Sequence, residues 1–343
     1  VSVRRHRIGL AVVAALVAVC LMQTGSSAAT GSPPSPRLSL ITEPAAGITP
    51  ILTAITHARS SVDLVMYELQ DPRVEGDLVA AERRGVHVRV LLDRGYYGAR
   101  TDYGRPAFNL PAYDYLRHHG VPVRWTPSRF ALTHEKSLVI DGRTAYILTF
   151  NFTARYYASS RDFGVVDRTP QDVSAIEATF GADWAGQIQT PSDGTDLVWS
   201  PGAEGEQVAF IEHARTFLDV ENEEMDDPRI EAALESAARR GVRVRVVMTY
   251  SSDWAAAFRA LERAGVSVRT YSEDAPLYIH AKLMLTPSRA FVGSQNFSPT
   301  SLDANRELGI TLTTPAILRS LAATFTSDDD GARAYSDGVS GSP

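Results

Sequence analysis

The chain has 343 residues, 44% of them hydrophobic and 22% charged, with 24 glycines, 19 prolines and one cysteine. That length and balance describe about two globular domains and exclude a disordered, collagen-like or disulfide-stapled protein. A formal charge of −6 argues against a general nucleic-acid coat, and of the 34 basic residues only Lys136 and Lys282 are lysine.

In chain order, Arg4, Arg5 and Arg7 precede an apolar run from Ile8 to Met22 and the small, polar stretch Gln23 to Ala29. The pattern predicts a secretory signal peptide over 1–29, cut after Ala29 by the small-x-small rule of Ser27-Ala28-Ala29. An uncleaved membrane anchor is the rival reading, against which the run is short for a span. Loss of three arginines takes the charge from −6 to −9 and removes Cys20, so a secreted, extracellular protein is expected whose stability comes from its core. Residues 30–44, rich in Pro, Ser and Gly, read as a linker, and residues 328–343, opening on Asp328-Asp329-Asp330, as a disordered tail.

Between them the elements alternate. Ile48 to Arg59 has helical apolar spacing and Val62 to Met66 is a short apolar strand. Pro72 opens a helix that stops at Gly85, followed by a strand from Val86 to Leu92. An aromatic insert, Tyr96 to Pro111, comes next, then a helix ending at Gly120 and a strand from Val121 to Trp125. Leu138 to Ile140 and Ala145 to Leu148 read as a hairpin around Asp141-Gly142.

The same text then recurs. Shifted by 156, His57 to Val90 lies over His213 to Val246 without a gap, identical at 18 of 34 positions; by Gly120-Val-Pro-Val-Arg and Gly265-Val-Ser-Val-Arg the offset is 145. The period is too long for a solenoid and marks a duplicated domain, with a first repeat over 45–192 and a second over 193–327. The expected fold class is α/β: two homologous α/β/α repeats packed about a pseudo-twofold axis, with the active site between them.

Both lysines stand two residues after a histidine, in His134-Glu-Lys136 and His280-Ala-Lys282, just before strand-like runs. In extended chain i and i+2 share a face, which sets imidazole beside ammonium. Asparagines follow at Asn151 (after Thr149-Phe150) and Asn296 (after Gly293-Ser294-Gln295), and carboxylates at Asp162 and Glu307. This doubled constellation resembles the phospholipase D superfamily, whose signature is His-x-Lys-x4-Asp followed by a Gly-Ser/Gly-x-Asn turn. The likeness covers about residues 40 to 327. The first copy has Asp141 but Thr149 in place of Ser; the second has Ser294 but Pro287 at the aspartate position. The resemblance implies a structural role for the motif aspartate.

Such groups suit phosphodiester chemistry. Two ammonium groups and two carboxamides can hold phosphate oxygens, so Asn151, Asn296, Ser294 and Thr149 are expected to bind phosphate. One imidazole can attack phosphorus while the other protonates the leaving alkoxide. Asp162 and Glu307 fit as acceptors for the second ring nitrogens, and the resemblance implies a crosswise pairing with His134 as nucleophile and His280 as acid/base. Glu68 and Glu224, at equivalent strand ends, are candidates for a substrate pocket. His57, His213 and His118-His119 read as helix-terminal residues. No metal site or cofactor is expected, since there is no His-Glu-x-x-His, cysteine pair or Gly-rich phosphate loop. The preferred reading is a secreted phospholipase D hydrolysing glycerophospholipids at a membrane surface as a monomer. Alternatives are a metal-independent nuclease, a phosphatidyltransferase, and a non-catalytic phosphate- or lipid-binding descendant.

Overall fold

The computed structural model describes residues 1, 36–94 and 109–336. The expected signal peptide, residues 30–35 of the linker, most of the aromatic insert and residues 337–343 lie outside the described residues.

The first repeat contains β1 (Leu38–Glu43), α1 (Thr49–His57), β2 (Ser61–Met66), α2 (Pro72–Arg83), β3 (His87–Leu92), α3 (Leu110–His118), β4 (Val123–Trp125), β5 (Ser137–Ile140), β6 (Thr144–Leu148), β7 (Ser160–Asp167) and α4 (Pro170–Ala185). The second runs β8 (Leu197–Ser200), α5 (Ala203–Glu212), β9 (Phe217–Glu221), α6 (Pro228–Arg239), β10 (Arg243–Thr249), α7 (Ala255–Arg263), β11 (Ser267–Tyr271), β12 (Tyr278–Ile279), β13 (Leu283–Leu285), β14 (Ala290–Gly293), α8 (Pro299–Asp303), β15 (Glu307–Leu312), α9 (Pro315–Gly331) and β16 (Arg333–Ala334). The sheets have equivalent orders, β1-β7-β6-β5-β2-β3-β4 and β8-β15-β14-β13-β9-β10-β11, the latter extended by β16. The protein is thus a duplicated α/β fold with two mixed sheets.

The repeated residues have repeated jobs. Asp71 and Asp227 cap α2 and α6, each accepting from the amide of the arginine two residues on at 2.9 Å, with Pro at the first helical position. Asp63 on β2 pairs with Arg89 on β3, and Asp219 on β9 pairs with Arg245 on β10, each through two guanidinium nitrogens.

Strand alternation sorts the apolar residues into cores. Tyr146 and Leu148 face the first repeat's own helices, whereas Ala145 and Ile147 face the second repeat. Likewise Met284 and Phe291 pack under α5 and α6, while Leu283, Leu285, Ala290 and Val292 join Ile147, Phe163 and Val165 in a core shared by both sheets. Each fully buried aliphatic side chain there contributes roughly 1.5–3 kcal/mol. Close approach demands glycine in this layer: a Cβ on Gly293 would lie 2.6 Å from the Gly309 Cα.

Two boundaries differ from the sequence expectation. The expected linker over 30–44 contains β1, which pairs antiparallel with β7 from Leu38↔Asp167 to Glu43↔Asp162 and is the counterpart of β8. Its alternating Leu38-Ser-Leu-Ile-Thr-Glu43 supplies an outer strand despite the Pro-rich flank. The expected tail also begins too early, because α9 continues to Gly331 and Asp328 is buried. Asp328 receives two hydrogen bonds from Arg161 on β7, at 2.5 and 2.8 Å, and the equivalent Asp183 on α4 receives Arg306, the residue just before β15. Each repeat's last helix thus anchors an arginine of the other, the reciprocity that a twofold interface requires.

Asp328→Ala removes the carboxylate that Arg161 grips through two nitrogens, leaving it to face the neighbouring Glu221 carboxyl, and is expected to cost about 3 kcal/mol of stability, read from denaturant unfolding. A loss comparable to an exposed ion pair, below about 1 kcal/mol, would contradict this anchoring role.

Candidate active site

Each histidine is delivered by a segment that leaves its own repeat. The amides of His134 and Glu135 donate to the Arg306 carbonyl at 2.9 and 3.0 Å, and Arg306 donates back to Leu132. In mirror fashion β12 runs parallel to β7, and the His280 amide donates to the Arg161 carbonyl at 3.2 Å. Each histidine thereby lands beside the residue following that arginine. His134 Nδ1 lies 2.9 Å from Glu307 Oε2, and His280 Nδ1 lies 2.8 Å from Asp162 Oδ1. An ionised carboxylate only accepts, so both Nδ1 atoms carry hydrogen and both Nε2 atoms face the chemistry.

The carboxylates are themselves fixed. Glu307 Oε1 accepts from Ser301 and from Asn305 Nδ2, and Asp162 Oδ1 accepts from the Thr149 hydroxyl. Burial alone would raise the Glu307 carboxyl, but the charges of His134 and Lys136 and the bonds from His134 and Ser301 hold it below its ordinary value. Burial conversely depresses His134 and favours the neutral imidazole, against the pull of Glu307.

Lys136 and Lys282 are completely buried, and neither forms part of the cavity wall. Each folds back to donate to the carbonyl of the histidine two residues before it, at 2.7 and 2.5 Å. Lys136 Nζ also sits 4.8 Å from the centre of the Tyr67 ring, and burial lowers its ammonium to about 7. Lys282 Nζ donates to Glu223 at 2.9 Å.

His134, His280, Asn151, Asn296, Glu68 and Glu224 share one cavity of about 860 Å³. Asn296 Nδ2 donates to Glu224 Oε1 at 3.0 Å, while the buried Oδ1 atoms of Asn151 and Asn296 have no hydrogen-bond partner. Burial raises the carboxyls of both Glu68 and Glu224. Thr149 and Ser294, expected to bind phosphate, do not reach the cavity. The Thr149 hydroxyl donates to Asp162 and accepts from the Phe163 amide; that of Ser294 accepts from the Leu308 amide. Both are tied to the strand carrying the opposite histidine's carboxylate, which is a positioning task.

Asp141 lies away from the cavity, with positive φ in the β5–β6 turn. Its carboxylate accepts from the amides of Arg59, Ser60 and Ser61, which hold it below its ordinary value against burial. At the Pro287 position the β13–β14 turn closes on itself through Thr286 and Arg289, and the Arg289 guanidinium reaches the Phe210 carbonyl. His57, His119 and His213 each place Nδ1 on a carbonyl four residues back at a helix end.

Sequence reasoning missed Glu223. It adjoins the duplicated Glu-x-x-Asp-Pro-Arg and corresponds to Tyr67, so the signal was a difference between otherwise matching repeats. Its Oε2 lies 3.4 Å from His280 Nε2, and Tyr278 donates to its Oε1 at 3.1 Å. Among the described residues, no group of three or more His, Cys, Asp or Glu side chains is arranged to hold a metal ion, and no helix is long and apolar enough to cross a membrane.

This doubled, crosswise site on two equivalent α/β repeats defines a class. Residues 51–184 and 208–328 match the family described as cardiolipin synthase, PLD-like domain, and the chain belongs to the phospholipase D superfamily. It is 27% identical over 278 residues to cardiolipin synthase B of Escherichia coli K12, covering 68% of this chain and 65% of that one. It is 24% identical over 328 residues to the major cardiolipin synthase ClsA of Bacillus subtilis 168, covering 81% and 66%. The chain thus spans about two-thirds of the length of these relatives, falling just short of that share. Its fold is similar to that of phosphatidylserine synthase from Haemophilus influenzae Rd KW20, with a TM-score of 0.68 at 12% identity over 87% of both chains. It is also similar to the fold of polyphosphate kinase from Porphyromonas gingivalis, with a TM-score of 0.66 at 14% identity over 89% of this chain and 51% of that one.

Glu135, between His134 and Lys136, is buried, and that burial raises its carboxyl to about 7. The folded protein then holds a proton that the unfolded chain has lost, so ionising Glu135 removes stability as pH rises from about 4.5 through 7. Glu135→Gln should therefore gain thermal stability relative to wild type on going from pH 5 to pH 8, by on the order of 3 kcal/mol at full ionisation. A difference independent of pH would contradict the burial effect.

Proposed function

We propose that this protein is a phosphodiester-processing enzyme that moves the phosphatidyl group of a phospholipid to an acceptor alcohol through a phosphohistidine, with water as the competing acceptor. The observation that carries this is the facing pair of imidazoles, each with Nδ1 held by a buried carboxylate of the opposite repeat. The relatives named cardiolipin synthase favour transfer over the simple hydrolysis preferred from sequence.

His134, buried and favoured in its neutral form, attacks phosphorus through Nε2 as the bond to the head-group oxygen breaks. His280 gives its Nε2 proton to that departing oxygen. The acceptor alcohol then loses its proton to His280 and attacks the phosphohistidine, the P–N bond breaks, and both imidazoles return to their starting state. Lys136 and Lys282 supply positive charge from beneath, where the low dielectric strengthens it. Glu68, Glu223, Glu224 and Asp226 on the cavity wall oppose a polyanionic nucleic acid, which needs clustered cations.

The test is turnover of phospholipid vesicles with and without added glycerol. Glycerol should divert product from phosphatidic acid to phosphatidylglycerol. His134→Ala and His280→Ala should each lower kcat by about 10²–10⁴ or more, with the double variant little worse than either. Product unaffected by glycerol would leave a hydrolase, and full turnover by both single variants would place the chemistry elsewhere.

A further inference from the structure

The frame is symmetric and the chemistry on it is not, and the difference is concentrated at one pair of positions. At the end of β2 the first repeat has Tyr67, whose ring stands edge-on to His134 at 4.6 Å and beneath the Lys136 ammonium. Just past β9 the second repeat has Glu223. Its carboxylate meets an ammonium (Lys282 Nζ, 2.9 Å), an imidazole nitrogen (His280 Nε2, 3.4 Å) and a phenol (Tyr278 hydroxyl, 3.1 Å). The first two are the groups that the proposed reaction needs at the phosphate. Nε2 of His280 faces this carboxylate while Nδ1 is hydrogen-bonded to Asp162. Among the described residues no carboxylate pairs with Nε2 of His134.

We propose that Glu223 is an internal stand-in for the substrate's phosphate: in the free protein its carboxylate occupies the place beside His280 Nε2 and Lys282 Nζ that the phosphate takes, holding both side chains in position, and an incoming phosphodiester displaces it. This rests on the phosphodiester reading of the site. The charged groups facing Glu223 are His280 and Lys282 at contact distance, His134 and Lys136 farther off, and Glu224 beside it. Burial alone would raise its carboxyl, but those cations hold it well below its ordinary value, so it is an anion throughout the working pH range. Its side chain is about a quarter exposed and lines the cavity together with the exposed Tyr278, so it is not locked in the core.

Two consequences follow. A small anion that offers only phosphate competes directly with Glu223 and binds poorly. A diester that also fills the cavity displaces it and meets His280 Nε2 and Lys282 Nζ already held in position. Glu223 is thus a positioning residue that discriminates against free phosphate.

The experiment is isothermal titration of inorganic phosphate into the full chain and into Glu223→Gln, with turnover of a soluble short-chain phospholipid measured alongside. Glu223→Gln should bind phosphate at least tenfold more tightly, with both KM and kcat lowered, a split that general loosening of the fold would not produce. Glu223→Tyr, copying the first repeat, gives the same readout if the glutamine variant fails to fold. Equal or weaker phosphate binding by the variants, with turnover present, overturns the role of Glu223 and leaves the reading of the site intact. Tighter phosphate binding without turnover of any phosphodiester by any of the proteins supports Glu223 and overturns the reading of the site.

Discussion

Two short stretches of backbone, around Thr133 and around Ile279, leave their own repeat and hydrogen-bond to the opposite repeat, at Arg306 just before β15 and along β7. The residue after each of those arginines, Arg306 and Arg161, is the carboxylate that orients the arriving histidine. A separated repeat would therefore keep its histidine and lose the acceptor that sets the tautomer. The bidentate pairs Arg161–Asp328 and Arg306–Asp183 fix the same two strands from the opposite helices, so the interface and the site are held by the same residues. Burial makes this cross-connection exacting, because an unpaired charge at any of these positions would be left without solvent.

On this near-symmetric scaffold the two imidazoles occupy different electrostatic settings. His134 is buried beside an aromatic ring and a lysine whose ammonium is itself depressed to about 7, which favours an uncharged nucleophile. His280 lies between two carboxylates, Asp162 at Nδ1 and Glu223 facing Nε2. Duplication supplies two equivalent groups, and a single change of side chain, Tyr67 against Glu223, gives them different neighbours.

The fold and the centre of the site were legible in the sequence because both are written twice. The Asp-Pro-Arg caps, the Arg-Arg-Gly helix ends and the His-x-Lys pairs recur at nearly fixed offsets, and the structure places them in equivalent positions. β1 was lost to the composition of its neighbours, since Pro and Ser before Arg37 masked six alternating residues. The last turn of α9 was lost because three consecutive aspartates read as a solvated end; Asp328 is buried only by virtue of Arg161, 167 residues earlier. Thr149 and Ser294 were assigned to phosphate from the motif, but hydroxyls fully buried just past β6 and β14 are claimed by neighbouring backbone and carboxylate. Glu223 carries no motif at all and is visible only once the histidine and lysine converge on it.

The account depends most on which imidazole bonds to phosphorus and which one carries the proton. The direct measurement is acid-sensitive phosphohistidine mapping by mass spectrometry after rapid quench, using wild type and His280→Ala with a short-chain phospholipid. The account predicts a covalent phosphatidyl adduct on His134, more persistent in His280→Ala, where no acid/base remains to discharge it. An adduct on His280 in the wild type, or turnover with an adduct on neither histidine, would contradict it.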